Sequence, residues 1–505
     1  MSNVMSTSSW SHEEPIAIAL LEKKDLTFNH LKNGQIELAA DQAEPGEYTK
    51  CTVDEMVGEW FFQDNTKLFP VIIQSENPVA FIFPPGSGKS SLAQLFESYA
   101  SNSKSIVGAG SDKTKMNSFF ETCWFALNNS SLYTKYRSNC AVVYIDFRNI
   151  VIEQNEQVFY RSLKVLMCAV WNKYAPEEFL LYERKHLKKD ISAVCSLQRL
   201  VVSLLAQDRD VFVLLDSCDV VFNQLANLDR NRKDRTLSQL LLMFLQCPTE
   251  TTLVKYIYLG VNPYFAVNNL RHNTDVYSIY VLLDVLPEKE EEYEENRRLV
   301  RECFSYSKES IEKACEHMKL ENIDEIVERC TRVAEFSFNG FELINPYLAT
   351  AYLTTLKSRS SYSVNIAPRS LWHEAIFTER DVDIIAKSLT NDTTAFSFPM
   401  LMSSTHILTS FSQDRRWFYN LFIYGGYFSG ETINNNQDEH MIRASNQTTK
   451  LVLKYMLENI WKKKYQTFTM DNRQQSASNQ RKRAGNRQKP AKDESGYKSK
   501  LRKRR

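Results

Sequence analysis

The sequence predicts an α/β fold, a parallel sheet with helices packed on it and a phosphate-binding turn at one strand end. Three observations lead there. Short apolar runs of buried-strand length recur at Phe81 to Phe83, Ala141 to Phe147, Val211 to Asp216 and Leu253 to Leu259. Segments of helical periodicity separate several of them, Val158 to Trp171 and Leu197 to Ala206, which gives a βαβ pattern rather than an all-β one. The first run opens directly into Pro84-Pro85-Gly86-Ser87-Gly88-Lys89-Ser90-Ser91, a glycine turn and a Lys-Ser pair leading into a helix.

That turn has the chemistry of a phosphate loop (P-loop). Gly86 and Gly88 allow backbone N–H groups to curl around phosphate oxygens, Lys89 reaches towards the β- and γ-phosphates, and the Ser90 hydroxyl suits Mg²⁺. Pro85, Ser87 and Ser91 complete the stretch expected to touch nucleotide. The helix that follows carries Leu92, Leu95, Phe96 and Tyr99 at i, i+3, i+4 and i+7, one face for the sheet. The full pattern G-x-x-x-x-G-K-[ST] wants glycine where this chain has Phe83, and a plain strand-turn-helix connection is the competing reading.

A nucleotide fold of this kind needs a strand-end carboxylate to face the metal. Asp216, closing Val211-Phe212-Val213-Leu214-Leu215, is the candidate, with capping of the next turn as its alternative role. The third run ends at Gly260, and Asn262 just beyond it is either a polar group at the nucleotide or a turn residue before Pro263.

Composition bounds the remainder. With 505 residues, 43% apolar, 24% charged and a net charge of +1, the chain is expected to be globular and to hold two or three domains. Ten cysteines without C-x-x-C spacing argue against zinc ribbons and disulfide scaffolds and fit a reducing compartment. No apolar signal core and no run of 18 apolar residues appears, so no membrane partner is expected. The eight histidines form no H-x-x-x-H pair and no G-x-S-x-G elbow occurs, which sets aside zinc and serine hydrolases.

The near-neutral total hides an asymmetry. From Asp471 to Arg505 there are thirteen Lys/Arg against three Asp/Glu, with almost no large apolar residues, so a disordered basic tail is expected. Arg481-Lys482-Arg483 and Lys500 to Arg505 suit a nuclear-import receptor or nucleic acid, and an inert solubilising tail is the remaining reading. Nuclear localisation is expected ahead of cytoplasmic. By contrast the run Glu288 to Glu295 reads as a solvated acidic helix face.

Several segments resemble, in order, the landmarks of the AAA-ATPase-like domain family. Phe62-Gln63-Asp64-Asn65-Thr66-Lys67-Leu68-Phe69, Phe83 to Ser90, Tyr144-Ile145-Asp146-Phe147, Leu214-Leu215-Asp216-Ser217-Cys218-Asp219, Gly260-Val261-Asn262 and Val267-Asn268-Asn269-Leu270 are similar to Y-V-D-K-T-x-x-F, R-P-R-R-F-G-K-S, Y-L-D-F, L-I-D-E-Y-D, T-G-V-S and L-N-N-L. Phe338-Asn339-Gly340-Phe341, Ile344-Asn345-Pro346 and Tyr424-Gly425-Gly426-Tyr427 continue the series. The resemblance implies an ASCE-type P-loop NTPase core with a helical lid and a winged-helix-like module, binding ATP and Mg²⁺. Its loop also lacks the first glycine. The nuclease domain that commonly follows in the family is not recognisable here.

The implied organisation is a variable N-terminal extension at 1–50, a P-loop NTPase core at 51–285, a helical lid region at 286–400, a winged-helix-like module at 401–465 and the basic tail at 466–505. Helix-forming Trp417 to Tyr424, followed by a hairpin through Met441 to Ala444, suggests the winged helix, and Gln447 to Lys463 a last helix. The chain departs from the family at one chemical position. Ser217 stands where a glutamate would polarise the attacking water, so hydrolysis is expected to be slow or absent unless Asp219 substitutes. The chain is then either an ATP-binding protein of weak or absent turnover or a non-catalytic scaffold delivered by its tail. The oligomeric state is not legible.

Overall fold

The computed structural model describes residues 36–38, 53–100, 113–147, 156–175, 193–207, 210–217, 254–260, 275–278, 290–338, 341–358, 362–364, 379–389, 394–397, 422–423, 425–432, 439–454 and 457. The chain divides into two compact units, Met1–Lys454 and Tyr455–Arg505. Asp219, Asn262 and the basic tail lie outside the described residues, as does nearly all of the N-terminal extension.

The first unit is an α/β structure built on a five-stranded sheet. Its strands are β1 (Val79–Ile82), β2 (Ala141–Asp146), β3 (Val211–Asp216), β4 (Val254–Gly260) and β5 (Asp275–Ser278), in the spatial order β2-β3-β4-β1-β5. All four neighbouring pairs are parallel. β1 and β3 are buried at every position, the pattern of a sheet covered on both faces. This arrangement is compatible with a Rossmann- or P-loop-like α/β fold.

Helices cover the sheet where the periodicity placed them. α1 (Lys89–Ala100) buries Leu92, Leu95, Phe96 and Tyr99, as its i, i+3, i+4, i+7 pattern requires. Phe96 meets Phe212 of β3 edge-on at 5.1 Å between centroids, and Tyr99 joins Phe69, Phe120 and Phe125 in an aromatic cluster. α2 (Glu156–Tyr174) runs a few residues past the expected helix at both ends, and α3 (Ala193–Leu205) starts four residues earlier and ends one residue sooner than expected.

Beyond β5 come α4 (Glu290–Cys303), α5 (Lys308–Met318) and α6 (Ile323–Ala334). Glu295 of the acidic run is exposed on α4, consistent with a solvated face. The chain then returns to strand. β6 (Glu335–Phe338) and β7 (Phe341–Ile344) form an antiparallel hairpin, followed by α7 (Pro346–Ser358) and α8 (Glu379–Leu389). β8 (Thr394–Ser397), β9 (Phe428–Thr432) and β10 (Glu439–Ala444) join them in a second sheet of order β8-β10-β9-β6-β7.

The hairpin expected near Met441 is present as β9 and β10. It is part of a wider layer than a wing. β10 pairs with β8 and β9 pairs with β6, so strands on both sides of a boundary at residue 400 belong to one sheet. Asn446 and Thr448 tie the following helix to it through the carbonyls of Glu335 and Val333.

Among the described residues six cysteines carry free thiols, all but Cys168 buried. No helix among them is long and apolar enough to cross a membrane.

Candidate functional site

The carboxyl ends of the five parallel strands converge on the turn after β1. Phe83 extends that strand by one bond, its N–H donating to the Gly260 carbonyl, and its buried ring packs on Phe304 just beyond α4. A glycine there would forfeit this contact, so Phe83 has a packing reason of its own.

Gly86 and Gly88 adopt φ of +81° and +92°, the left-handed region where a side chain is disfavoured. The Ser87 hydroxyl donates to the Pro84 carbonyl at 2.5 Å. Lys89 opens α1 with its side chain folded back over the loop, its ammonium donating to the carbonyls of Phe83 at 2.7 Å and Pro84 at 2.9 Å. Ser90 and Ser91 are half-buried on the first turn of α1.

Asp216 ends β3 and is 1% exposed. β4 lies between β1 and β3, so Asp216 stands two strand spacings, about 10 Å, from the loop strand. Its Oδ2 accepts from the Tyr144 hydroxyl at 2.8 Å, and its Oδ1 accepts from the Ser217 hydroxyl at 3.1 Å. Ser217 itself sits at φ +58°, uncommon for a residue with a side chain, and its N–H donates to the Leu259 carbonyl at 2.8 Å. The Ser217 hydroxyl proton is thus directed at the Asp216 carboxylate.

Beneath Asp216 lies a buried polar chain. The Tyr174 hydroxyl donates to Glu97 of α1 and accepts from the Tyr144 N–H at 2.9 Å, and Lys173 pairs with Glu97 at 2.8 Å. Burial pushes the Glu97 carboxyl above its ordinary range against the pull of Lys173, and it pushes the Tyr174 phenol well up. The chain thereby fastens α1, α2 and β2 together.

Two distant segments close over the loop, and both are among the landmarks quoted above. Asn345 caps α7 by accepting from the Leu348 N–H, while its Nδ2 donates to the Pro85 carbonyl at 2.8 Å. The Tyr347 N–H donates to the Gly86 carbonyl at 3.2 Å. A β-carbon on Gly86 would stand 2.6 Å from the Tyr347 Cβ, so this glycine is demanded by close approach as well as by φ. The Gly425-Gly426 turn packs on Pro84, which would lie 3.1 Å from a Gly426 β-carbon. An asparagine followed by proline is a recognisable helix start, but a contact reaching 260 residues back to the loop has no local signal.

Of the residues expected from the sequence, the structure brings Pro85 to Ser91 together on the loop, with Asp216 at the same sheet edge two strands away. Among the described residues no group of three or more His, Cys, Asp or Glu is placed to hold a metal. Ser90 offers a hydroxyl and Asp216 a carboxylate, the hard oxygen donors that Mg²⁺ takes.

Comparison with known proteins returns no match, either to a family model or to a curated sequence.

Proposed function

We propose that this chain is an ATP·Mg²⁺-binding P-loop protein of the ASCE, AAA-like type, in which hydrolysis is slow or absent. The observation that carries the reading is one arrangement: a left-handed glycine turn, with Lys89 opening the next helix, stands across an intervening strand from the buried Asp216. Ligands of open parallel sheets bind outside the carboxyl ends of the strands, which is where these groups meet. In this reading the loop N–H groups and Lys89 take the phosphates, while Ser90 and Asp216 hold the metal. Bound Mg²⁺ supplies charge neutralisation between the phosphates.

Weak turnover follows from Ser217. A hydroxyl that donates to Asp216 cannot take a proton from water at neutral pH. Ser217→Glu is therefore expected to raise phosphate release from background by about a hundredfold, the lower range for general-base catalysis. The β-carbon at φ +58° is already accommodated, so the glutamate adds no new backbone strain. Wild-type turnover at an ordinary ATPase rate, abolished by Lys89→Ala, would contradict this part of the reading.

Tyr144 tests the metal side. Tyr144→Phe removes the donor that fixes Asp216 Oδ2, and loss of such an outer partner weakens metal sites by roughly tenfold or more. The expected result is a tenfold higher Mg²⁺ requirement for ATP binding with ATP affinity in saturating Mg²⁺ unchanged. An unaltered Mg²⁺ titration would remove Asp216 from the metal site.

The second reading is a non-catalytic scaffold in which nucleotide sets a conformation. It is favoured by the contacts of Asn345, Tyr347 and Gly426 with the loop, because they join the second sheet and α7 to the place where phosphates would sit. Nuclear delivery and nucleic-acid binding through the basic tail belong to this reading and rest on charge alone.

A further inference from the structure

The strand next to Asp216 ends in a second carboxylate. Asp146 closes β2, and in the parallel register it is the partner of Asp216 on β3, one strand spacing of about 5 Å away. Side chains alternate along a strand, so Asp146 shares a face with Tyr144, two residues before it. The Tyr144 hydroxyl reaches Asp216 Oδ2, which puts Asp216 on that same face. Phe212, four residues before Asp216 and therefore also on it, meets Phe96 of α1. Both carboxylates accordingly lie on the face that α1 covers, at the sheet edge where α1 begins with Lys89 and Ser90.

The polar groups at this edge divide by what they can do. Tyr144 and Ser217 both donate their hydroxyl protons to Asp216. A hydroxyl held in that way takes no proton from water at neutral pH. Asp216 is 1% exposed and is the carboxylate assigned to the metal. Asp146 is only half-buried, and an ionised carboxylate is an acceptor alone.

Position along the edge decides the role. In phosphoryl transfer the attacking and leaving oxygens lie roughly in line through the γ-phosphorus. In the phosphate-loop reading the β-phosphate sits in the loop after β1 and the metal lies towards β3. The attacking water then stands on the side of the γ-phosphate away from β1, and the strand beyond β3 in that direction is β2. We infer that Asp146 is the catalytic base of a slow ATP hydrolysis in this chain. Its carboxylate takes one proton from water as the water oxygen bonds to the γ-phosphorus, the bond from that phosphorus to the β,γ-bridging oxygen breaks, and the electron pair leaves on ADP. A neighbouring strand thus fills the role that Ser217 cannot. Aspartate is one methylene shorter than glutamate and stands one strand further out, which keeps turnover slow. This rests on the phosphate-loop reading and gives that site its reacting group.

The test uses the full chain as wild type, Lys89→Ala, Asp146→Asn, Asp146→Glu, Ser217→Glu, and the double variant of Asp146→Asn with Ser217→Glu. Each is measured by thermal melting, by calorimetric titration with ATP·Mg²⁺ and by phosphate release in a single turnover. Asp146→Asn keeps the shape of the side chain, so its melting temperature stays at the wild-type value and its ATP·Mg²⁺ affinity within about twofold, while phosphate release falls about tenfold, less than the hundredfold of a well-placed base. Asp146→Glu retains the carboxylate and keeps at least the wild-type rate. In the Ser217→Glu background a glutamate supplies the base, and there Asp146→Asn costs about twofold or less. A structural or metal-positioning aspartate would cost the same in both backgrounds. Where Asp146→Asn does not fold, Asp146→Ser replaces it in both. Equal phosphate release by wild type and Asp146→Asn, an equal loss in the two backgrounds, or wild-type release no faster than that of Lys89→Ala overturns the inference while leaving the loop reading standing. Absence of ATP binding in wild type overturns both.

Discussion

Gly86→Ala is expected to destabilise the protein by about 3 kcal/mol, more than the same change at Gly88. Each glycine has positive φ, so each alanine costs about 1–2 kcal/mol in backbone strain. Only at position 86 does the new methyl also meet packed atoms, the Tyr347 Cβ at 2.6 Å and Asn345 Oδ1 at 3.0 Å, which adds about 1–3 kcal/mol of overpacking. At position 88 the nearest atom is Asn65 Nδ2 at 3.6 Å, an ordinary contact. Urea midpoints of the two variants, compared at unchanged slope, test the ordering. Equal losses would mean that Tyr347 yields freely, and that the loop is not held from the second sheet. The same substitution is expected to weaken ATP binding, because pushing Asn345 and Tyr347 away removes the partners of the Pro85 and Gly86 carbonyls.

Lys89→Ala is expected to weaken ATP·Mg²⁺ binding by about a hundredfold, equivalent to ~3 kcal/mol for a charge-assisted contact to phosphate in a partly desolvated site. The variant also loses the donor to the Phe83 and Pro84 carbonyls, so its ligand-free stability falls by about 1–2 kcal/mol. Lys89→Arg separates these effects. A guanidinium retains the charge but places its donors differently, so it restores part of the stability and little of the affinity. Melting curves without ligand and with saturating ATP measure both quantities in one series.

Much of the first sheet was legible because its signals are local and strong. Val211 to Asp216 is apolar throughout up to its terminal carboxylate, and the four apolar positions of α1 fix both its period and its buried face. The Lys89 turn is equally local, a strand and a helix start within eleven residues. The expectation that Gly86 serves phosphate alone missed Tyr347, because only the folded chain brings residue 347 to residue 86.

Apart from its β9–β10 hairpin, the second sheet was not legible, for the opposite reason. β6 and β8 are four residues each, too short for a pattern of their own, and they are strands because distant partners pair with them. The Ser337 N–H, for example, donates to the Ser429 hydroxyl across ninety-two residues. Glu335 to Phe338 follows three helices, so a helical reading of the whole stretch had no local contradiction. Ser217 was recognised as a departure from a catalytic pattern, but its left-handed backbone and its bond to Asp216 are properties of the fold.

The central claim is that the turn from Pro84 to Ser90 holds the phosphates of ATP. Calorimetric titration of the full chain with ATP in Mg²⁺, and again with Lys89→Ala at matched folded fraction, tests it most directly. The account predicts saturable one-to-one binding by wild type that Lys89→Ala weakens by about a hundredfold. No heat of binding in wild type, or equal affinity in the two proteins, would contradict it and leave the turn a structural connection clamped by Asn345 and Tyr347.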